Sequence, residues 1–563
     1  MSLMEGLSIG RRGLSAAQIA IDVTGQNISN ANTDGYSRKS LTQVSDYRTD
    51  GTYGQMGFGV DVVSVNRVRD VFIDRQLNSQ IADQGYTTDL DAAYQRIENV
   101  HQEPSTTGLN ETMDTFWNAW SDLSNNPSDK SARESLKSTA QVLTDRFHYT
   151  ANEMTSYQNS INDQVQSYVG QINDIADKIS SLNKTIVAAE GAQNDNANDA
   201  RDQRDQLIKQ LSSYVKIDYT EDKSGAVSVT ASGNMLISPQ TVFHLETTRQ
   251  DVHDASGANA TFYGVKFEHS DTAFVPQSGK LKAMFDTRDV VIPSYMNDLN
   301  AMTATMVKAV NTVHESGYTM DKTTGVDFFD PANTTAATIS LSAAVINDSN
   351  SIAAAAGGTI QSVVMTGATV PPTPASDANN IVNLTSASAQ FRNLAQGSVV
   401  VTDPVSGTVL QEGSSKDYVV DYDLGRVRIV NSGTYPAGTV FNINFKYNDT
   451  GYSGTGDGNN ALAISQVRDT KNMNFDQTGA ATSSIAENYA GYIGRLGVER
   501  SQAKSSLDTQ TALVEQLTNQ QASIAGVNLD EEMTNLIKYQ QSYQASAKFI
   551  STISTMMDVL EKI

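Results

Sequence analysis

Residues 526–560 read GVNLDEEMTNLIKYQQSYQASAKFISTISTMMDVL. Leu529, Leu536, Tyr543, Ile550 and Met557 recur every seven positions, with Met533, Gln540 and Ala547 between them, the spacing that lays an apolar seam along a helix. Asn528 offers a side-chain acceptor to the first free backbone N–H groups, and Asp530, Glu531 and Glu532 set negative charge against the positive end of the helix dipole. Gly526 marks a joint before it. A second row, Phe549, Ile553, Met556 and Leu560, widens the apolar surface beyond one two-helix contact. The segment is expected to touch more than one neighbour.

The other terminus repeats the pattern. Leu7, Leu14, Ile21 and Ile28 are seven apart, and the companion row Leu3, Gly10, Ala17 and Thr24 is mostly small, which permits close approach of another helix. Asn30, Asn32, Asp34 and Gly35 then supply turn chemistry, so this helix is expected to end near residue 31. Such ends can pack into a monomeric core or form an assembly surface. Their position at opposite termini favours assembly, with Leu7, Leu14, Ile21, Ile28, Leu529, Leu536, Tyr543, Ile550 and Met557 as the candidate interface.

Further in, Ala140, Phe147, Met154, Ile161, Tyr168, Ile175 and Leu182 are again seven apart, flanked by Val165, Ile172, Ile179 and Ile186. One helix over 131–190 would run roughly 90 Å at 1.5 Å per residue, a rod rather than a globule. Residues 109–123, 285–315 and 496–524 carry further amphipathic stripes. Between them, Val227, Val229 and Ala231, then Tyr263, Val265 and Phe267, alternate at the strand period, as do Phe441, Ile443, Phe445 and Tyr447. Residues 417–430 read as a hairpin turning at Asp423, Leu424 and Gly425, and Pro371, Pro372 and Pro374 stiffen the entry to that region. The expected fold is a multidomain α+β chain. An elongated helical coiled-coil bundle is built from both termini (1–37 with 525–563) and continues as a rod (38–215, 279–356 and 456–524), with β-rich domains inserted in the middle at 216–278 and 357–455.

A chain of 563 residues exceeds a single hydrophobic core. Its formal charge of −23 has the wrong sign for a phosphate backbone, so nucleic acid is excluded as a partner class. Cysteine is absent, which removes disulfides, thiolate metal sites and cysteine nucleophiles. No run of about 18 apolar residues is present to enter a membrane, and Glu5, Arg11 and Arg12 interrupt the N-terminal stretch where a cleaved signal would need a continuous apolar core.

Nothing in the sequence assembles a catalytic or cofactor site. The six histidines never fall at the i, i+4 spacing of a helical zinc site, and P-loop, G-x-S-x-G and H-E-x-x-H patterns are missing. Asn194, Asn196 and Asn198 with Asp195 and Asp199 mimic a calcium loop but lack its central Gly and closing Glu. RDQRDQ at 201–206 reads as a solvated helix face with Arg201 pairing Asp205. No enzyme and no cofactor are expected.

Residues 27–38, NISNANTDGYSR, preceded by GLSAAQIAIDVTGQ, resemble the signature shared by flagellar rod, hook and hook-associated proteins, with Asn27, Asn30, Asn32, Gly35 and Tyr36 as its motif positions. The 526–560 segment is similar to the C-terminal signature of the same axial proteins. Tyr36, Ser37 and Arg38, with GLNETMDTFWNAWSDLSNNPSDKSARESL at 108–136 and NDARDQRDQLIKQLS at 198–212, resemble the FlgK type of flagellar hook-associated protein. Residues 357–455 match no pattern of that family. The resemblance implies a secreted structural subunit, exported unfolded by the flagellar type III apparatus, that polymerises as a ring at the hook–filament junction and permits filament assembly. It implies as partners hook protein, a second junction protein of the FlgL type and an export chaperone of the FlgN type. The alternatives are hook or another axial protein, or a flagellar scaffold whose 357–455 insert carries an adhesin or an enzyme.

Overall fold

In the computed structural model the chain opens with α1 (Leu3–Ser29), doubles back through the hairpin β1 (Lys39–Asp50) and β2 (Gly54–Arg67), and enters the helices α2 (Val71–His101), α3 (Leu109–Asn125), α4 (Lys130–Gln193) and α5 (Asn198–Tyr214). Five strands follow: β3 (Ile217–Glu221), β4 (Val227–Ala231), β5 (Asn234–Ile237), β6 (Leu245–His253) and β7 (Asn259–Phe267). α6 (Lys280–Asp286) runs through one π turn (Thr287–Val291) into α7 (Ile292–Ser316), and a short α8 (Ala343–Asn347) comes next. The strands β8 (Ile360–Thr369), β9 (Ile381–Asn383), β10 (Val400–Thr402), β11 (Tyr418–Asp421), β12 (Arg426–Ile429) and β13 (Val440–Asn448) precede α9 (Asn459–Gln466). The small hairpin β14 (Met473–Phe475) and β15 (Ala481–Ser483) leads to α10 (Ile485–Ala525) and α11 (Leu529–Glu561). The structure describes residues 3–561 except 51–53, 194–195, 269, 357–359, 370–380, 386–390, 392–393, 395–397, 414–415, 422–424, 431–433, 436–437, 449–453 and 476–479.

The heptad rows of the long central stripe form α4, whose 64 residues span roughly 96 Å at 1.5 Å per residue. Its buried row, with Phe147, Met154, Ile161, Val165 and Ile172, shares one core with Phe116 and Trp120 of α3, Leu299 and Met306 of α7, and Tyr489 and Leu496 of α10. β4 and β7 appear where alternation places them, with β3, β5 and β6 inside the same 216–278 stretch, but Val227, Val229 and Val265 belong to this same core rather than to one of their own. The joint is polar as well as apolar. Asn173 of α4 both donates to and accepts from the Leu245 backbone (2.8 and 2.9 Å), and Asn183 does the same with Val227 (2.8 and 3.0 Å). These amides take the place of a neighbouring strand, so the exposed ladder groups are satisfied by the rod.

The 357–455 stretch has a separate core in which Val401, Val427, Phe441, Ile443 and Phe445 are buried. It contains two sheets, ordered β10-β13-β8 and β11-β12-β9. β11 and β12 make the expected hairpin, with Gly425 at its turn, whereas Asp423, Leu424 and the three prolines lie outside the described residues. Its two ends meet, since the Ala356 N–H donates to Asp457 (2.8 Å).

Two stretches assigned to the helical rod depart from expectation, the short β14–β15 hairpin within 456–524 and a longer one near the N-terminus. Residues 39–50 and 54–67, assigned above to a helical rod, are paired antiparallel strands with register shifts between Thr42 and Gln43 and between Asp46 and Tyr47. Val60 and Val62, then Val65 beyond the shift, alternate with polar residues, the strand signal that the helical rows on either side overshadow.

Candidate assembly interface at the paired termini

α1 and α11 pair antiparallel, and glycines set how closely. A Cβ built on Gly6 would lie 2.7 Å from Ile553 Cδ1, one on Gly10 would lie 2.6 Å from Ile550 Cγ1, and one on Gly13 would lie 3.0 Å from Ser546 Oγ. The isoleucines of α11 therefore enter notches that no other residue type leaves open. The buried row of α1 runs through Gly6, Gly10, Ala17, Ala20, Thr24 and Asn27. The companion row of the sequence is thus the internal seam. Leu7, Leu14, Ile21 and Ile28 stand half-buried beside it, and Ile550, expected on an external seam, packs against Gly10 of its own chain.

Among the described side chains of α11, Glu532 and Ile553 alone are buried. Leu529, Met533, Ile537 and Tyr543 are 46%, 56%, 56% and 36% exposed, and Phe549, Met556 and Val559 are 45%, 55% and 55% exposed. Leu536, Ile550 and Met557 are half-buried. At about 100° per residue, Leu529, Met533 and Ile537 lie on one flank of the seam and Phe549, Met556 and Val559 on the other. A groove of about 670 Å³ opens beside the second group, between Leu3 and Met556 and Val559. A helix left bare on two flanks has room for two further neighbours.

Below the seam a buried polar clasp ties both termini to the rod. Asn27 Nδ2 donates to the Lys39 carbonyl (2.9 Å) and to Glu532 Oε2 (3.1 Å), while its Oδ1 accepts from the Lys39 N–H (2.9 Å) and the Tyr36 hydroxyl (2.8 Å). Burial, with Asp199, Asp202 and Glu532 nearby, pushes the Tyr36 hydroxyl well above its ordinary range, so it stays a donor. Gly35 holds φ at 77° in the tight turn that brings Tyr36 inward. Asn30 steadies that turn through the Gln26 carbonyl (3.0 Å) and the Thr33 hydroxyl (3.2 Å), and Asn32 is exposed on it. Arg38 pairs with Glu531 (3.0 Å), and its N–H donates to the Ala525 carbonyl (2.8 Å). Asn528 caps α11 as expected, accepting from the N–H groups of Asp530 and Glu531 (3.0 and 3.3 Å).

The RDQRDQ segment is part of this clasp, and its reading as a solvated face is corrected. Asp202 accepts from the Ser37 hydroxyl (2.7 Å) and pairs with Arg67 (2.8 Å), and Asp205 pairs with Arg67 (2.7 Å) and with Arg69. Arg204 is buried against Asn183 and the Gly225 carbonyl (3.0 and 2.6 Å), and Arg201 holds Glu190 (2.7 Å) rather than Asp205. The partners come from β2 and the segments flanking the β1–β2 hairpin, from α4 and from the β3–β4 turn, parts of the chain that helical spacing does not bring together. The calcium-like asparagines serve the same joint, since Asn196 and Asn198 both donate to the Val65 carbonyl (3.1 and 2.8 Å). Among the described residues no group of three His, Asp or Glu side chains is disposed to hold a metal ion, and no helix is long and apolar enough to cross a membrane.

Sequence models of known proteins match three segments of the chain. The sequence model of the flagellar hook-associated protein FlgK helical domain matches residues 94–329, that of the flagella basal body rod protein matches 7–36, and that of the flagellar basal body rod FlgEFG protein C-terminal region matches 518–563. Flagellar hook-associated protein 1 of Bacillus subtilis is 27% identical across 99% of this chain and 97% of its own length, and that of Salmonella typhimurium is 28% identical across 98% of both. Over nearly its whole length the chain is similar to flagellar hook-associated protein 1, FlgK. The solved flagellar hook junction protein FlgK from Burkholderia pseudomallei shares the fold, with a TM-score of 0.56 and 19% identity over 80% of this chain and all of that one. Like FlgK proteins generally, the chain is a structural, exported component of the bacterial flagellum, associated with its axial parts.

Proposed function

We propose that the chain is the hook–filament junction subunit that polymerises on the distal hook through its paired termini and so permits filament growth. The observation that carries the mechanism is α11, a helix of 33 residues whose apolar side chains stand bare on two flanks of its internal seam. Leaving so many large apolar groups in water is unfavourable by about 25 cal/mol per Å², and burial against neighbouring copies recovers it. In this reading 1–37 with 525–563 form the inner axial part. The helical segments 38–215, 279–356 and 456–524 form the rod, and 216–278 and 357–455 project from it. Hook protein lies below the ring and the second junction protein above, and a chaperone covers the bare α11 before export. The relatives are structural flagellar proteins, and the chain is read as non-enzymatic on that ground.

The test separates assembly from folding. Ile537→Asp places a carboxylate at a position 56% exposed in the single chain, so the purified variant keeps its helix content and melting temperature. In a deletion strain, the unaltered chain restores filaments on the hooks and Ile537→Asp does not, because a charge buried unpaired at every subunit contact costs several kcal/mol. Normal filaments with Ile537→Asp, or filaments in the uncomplemented deletion strain, contradict the proposal.

A further inference from the structure

The hairpin β1–β2 is long, with strands of 12 and 14 residues, yet among its described side chains Lys39 alone is buried. Val44, Tyr47 and Val63 are 47%, 60% and 55% exposed. A two-stranded ribbon with no further strand on either edge and almost nothing buried is marginal in water by itself. Its base is nevertheless held firmly. Lys39 pairs with Asp199 (2.6 Å), Arg67 with Asp202 and Asp205, and the Val65 carbonyl with two asparagines. Its far part lies along α1, where Gly59 faces Ile9, Arg12 pairs with Asp46, and the Arg12 guanidinium sits over the Phe58 ring at 5.5 Å. The sequence thus builds a rigidly rooted arm and leaves its outer surface open.

Position around α1 indicates what covers that surface. At about 100° per residue, Ile9 and Arg12, which meet the arm, lie roughly 160° from the half-buried row Leu7, Leu14, Ile21 and Ile28, with the glycine seam to α11 between them. One flank of α1 therefore carries an arm with uncovered apolar groups, and nearly the opposite flank carries an apolar row that the chain itself covers only in part. Two different patches on opposite flanks are what a head-to-tail contact between identical copies requires, and such contacts propagate into rings or helical arrays. The geometry points to the β1–β2 arm of each copy packing onto the Leu7, Leu14, Ile21 and Ile28 row of the next copy. This rests on the reading that the termini assemble, and it adds which surface of one copy meets which surface of its neighbour.

The chain has no cysteine, so two engineered thiols report on one contact. Val63→Cys and Ile21→Cys are expressed on differently tagged chains in the deletion strain, and isolated flagella are treated with a short bismaleimide. Tyr47→Cys with Leu14→Cys forms a second pair. The inference predicts a covalent dimer carrying both tags in at least one pair, absent when the same two chains are treated as purified monomers. Loss of filaments with a soluble, folded arm variant also supports it, since a cysteine at an exposed arm position then harms only the assembled state. Filaments that form with both pairs and give no mixed dimer overturn it while leaving terminal assembly intact. Mixed dimers formed equally by monomers overturn it too.

Discussion

Gly10→Ala tests the close approach of the terminal helices. The added Cβ would sit 2.6 Å from Ile550 Cγ1 and 3.1 Å from Phe549 Cδ1, so α1 and α11 must separate or Ile550 must leave its notch, a cost of about 1–3 kcal/mol for overpacking. Against it stands the helix-propensity gain of Ala over Gly, about 1 kcal/mol. In the unaltered background the variant is expected to destabilise the pair by up to about 2 kcal/mol. With Ile550→Ala the nearest obstruction is gone and propensity remains, so the same Gly10→Ala change should stabilise by up to about 1 kcal/mol. The sign reverses. Native-state hydrogen exchange of α11 amides in the monomer reads the local opening free energy in all four chains of this double-mutant cycle. An effect of Gly10→Ala that is the same in both backgrounds, within about 0.3–0.5 kcal/mol, refutes a seam set by contact between these two residues.

Two further outcomes follow from the rod and the insert. His314 is buried with Nδ1 on the Val326 carbonyl (2.5 Å) and Nε2 accepting from the Ala353 N–H (2.8 Å), and burial with Arg133 nearby holds its pKa down to about 4. Burial and Arg146 hold His101 down to about 4 as well. Since both titrate near 6.5 when unfolded, the unfolded chain binds more protons between these values. Stability therefore falls as pH drops, by about 3–4 kcal/mol for the two together between pH 7 and 5, and urea midpoints that coincide at the two pH values would falsify it. Replacing 357–455 with a short Gly/Ser linker removes a unit with its own core whose ends already meet at Ala356 and Asp457. Filaments should still grow in the complemented strain, and their loss would show that the insert takes part in the junction.

Helical periodicity was legible wherever a helix buries a continuous row, as in α4 and α7, and the two-residue period marked β4, β7 and β13. The β1–β2 hairpin was not recognised because it buries almost nothing, so its alternation records no core. The site divides in the same way. Heptads located the terminal helices, and the bare surface of α11 agrees with a helix that is apolar beyond one seam. They did not tell inside from outside, because Gly10 and Ala17 carry little hydrophobic signal while forming the tight internal contact, and that contact claims Ile550. The Asp202, Asp205 and Arg204 clasp was hidden for a different reason. Charged residues in RDQRDQ find their partners across sequence separations of 11 to 165 residues, and a single helix face gives no sign of them.

The central claim is that the bare flanks of α11 are covered only in the flagellum. Met533 and Met556 are 56% and 55% exposed in the single chain, and Met235, on strand β5 away from the termini, is 42% exposed. Pulse oxidation with peroxide, read residue by residue by mass spectrometry, compares purified monomer with isolated flagella. All three methionines should oxidise readily in the monomer, whereas in flagella Met533 and Met556 should be strongly protected and Met235 should remain reactive. Equal oxidation of Met533 and Met556 in monomer and flagella would contradict the account.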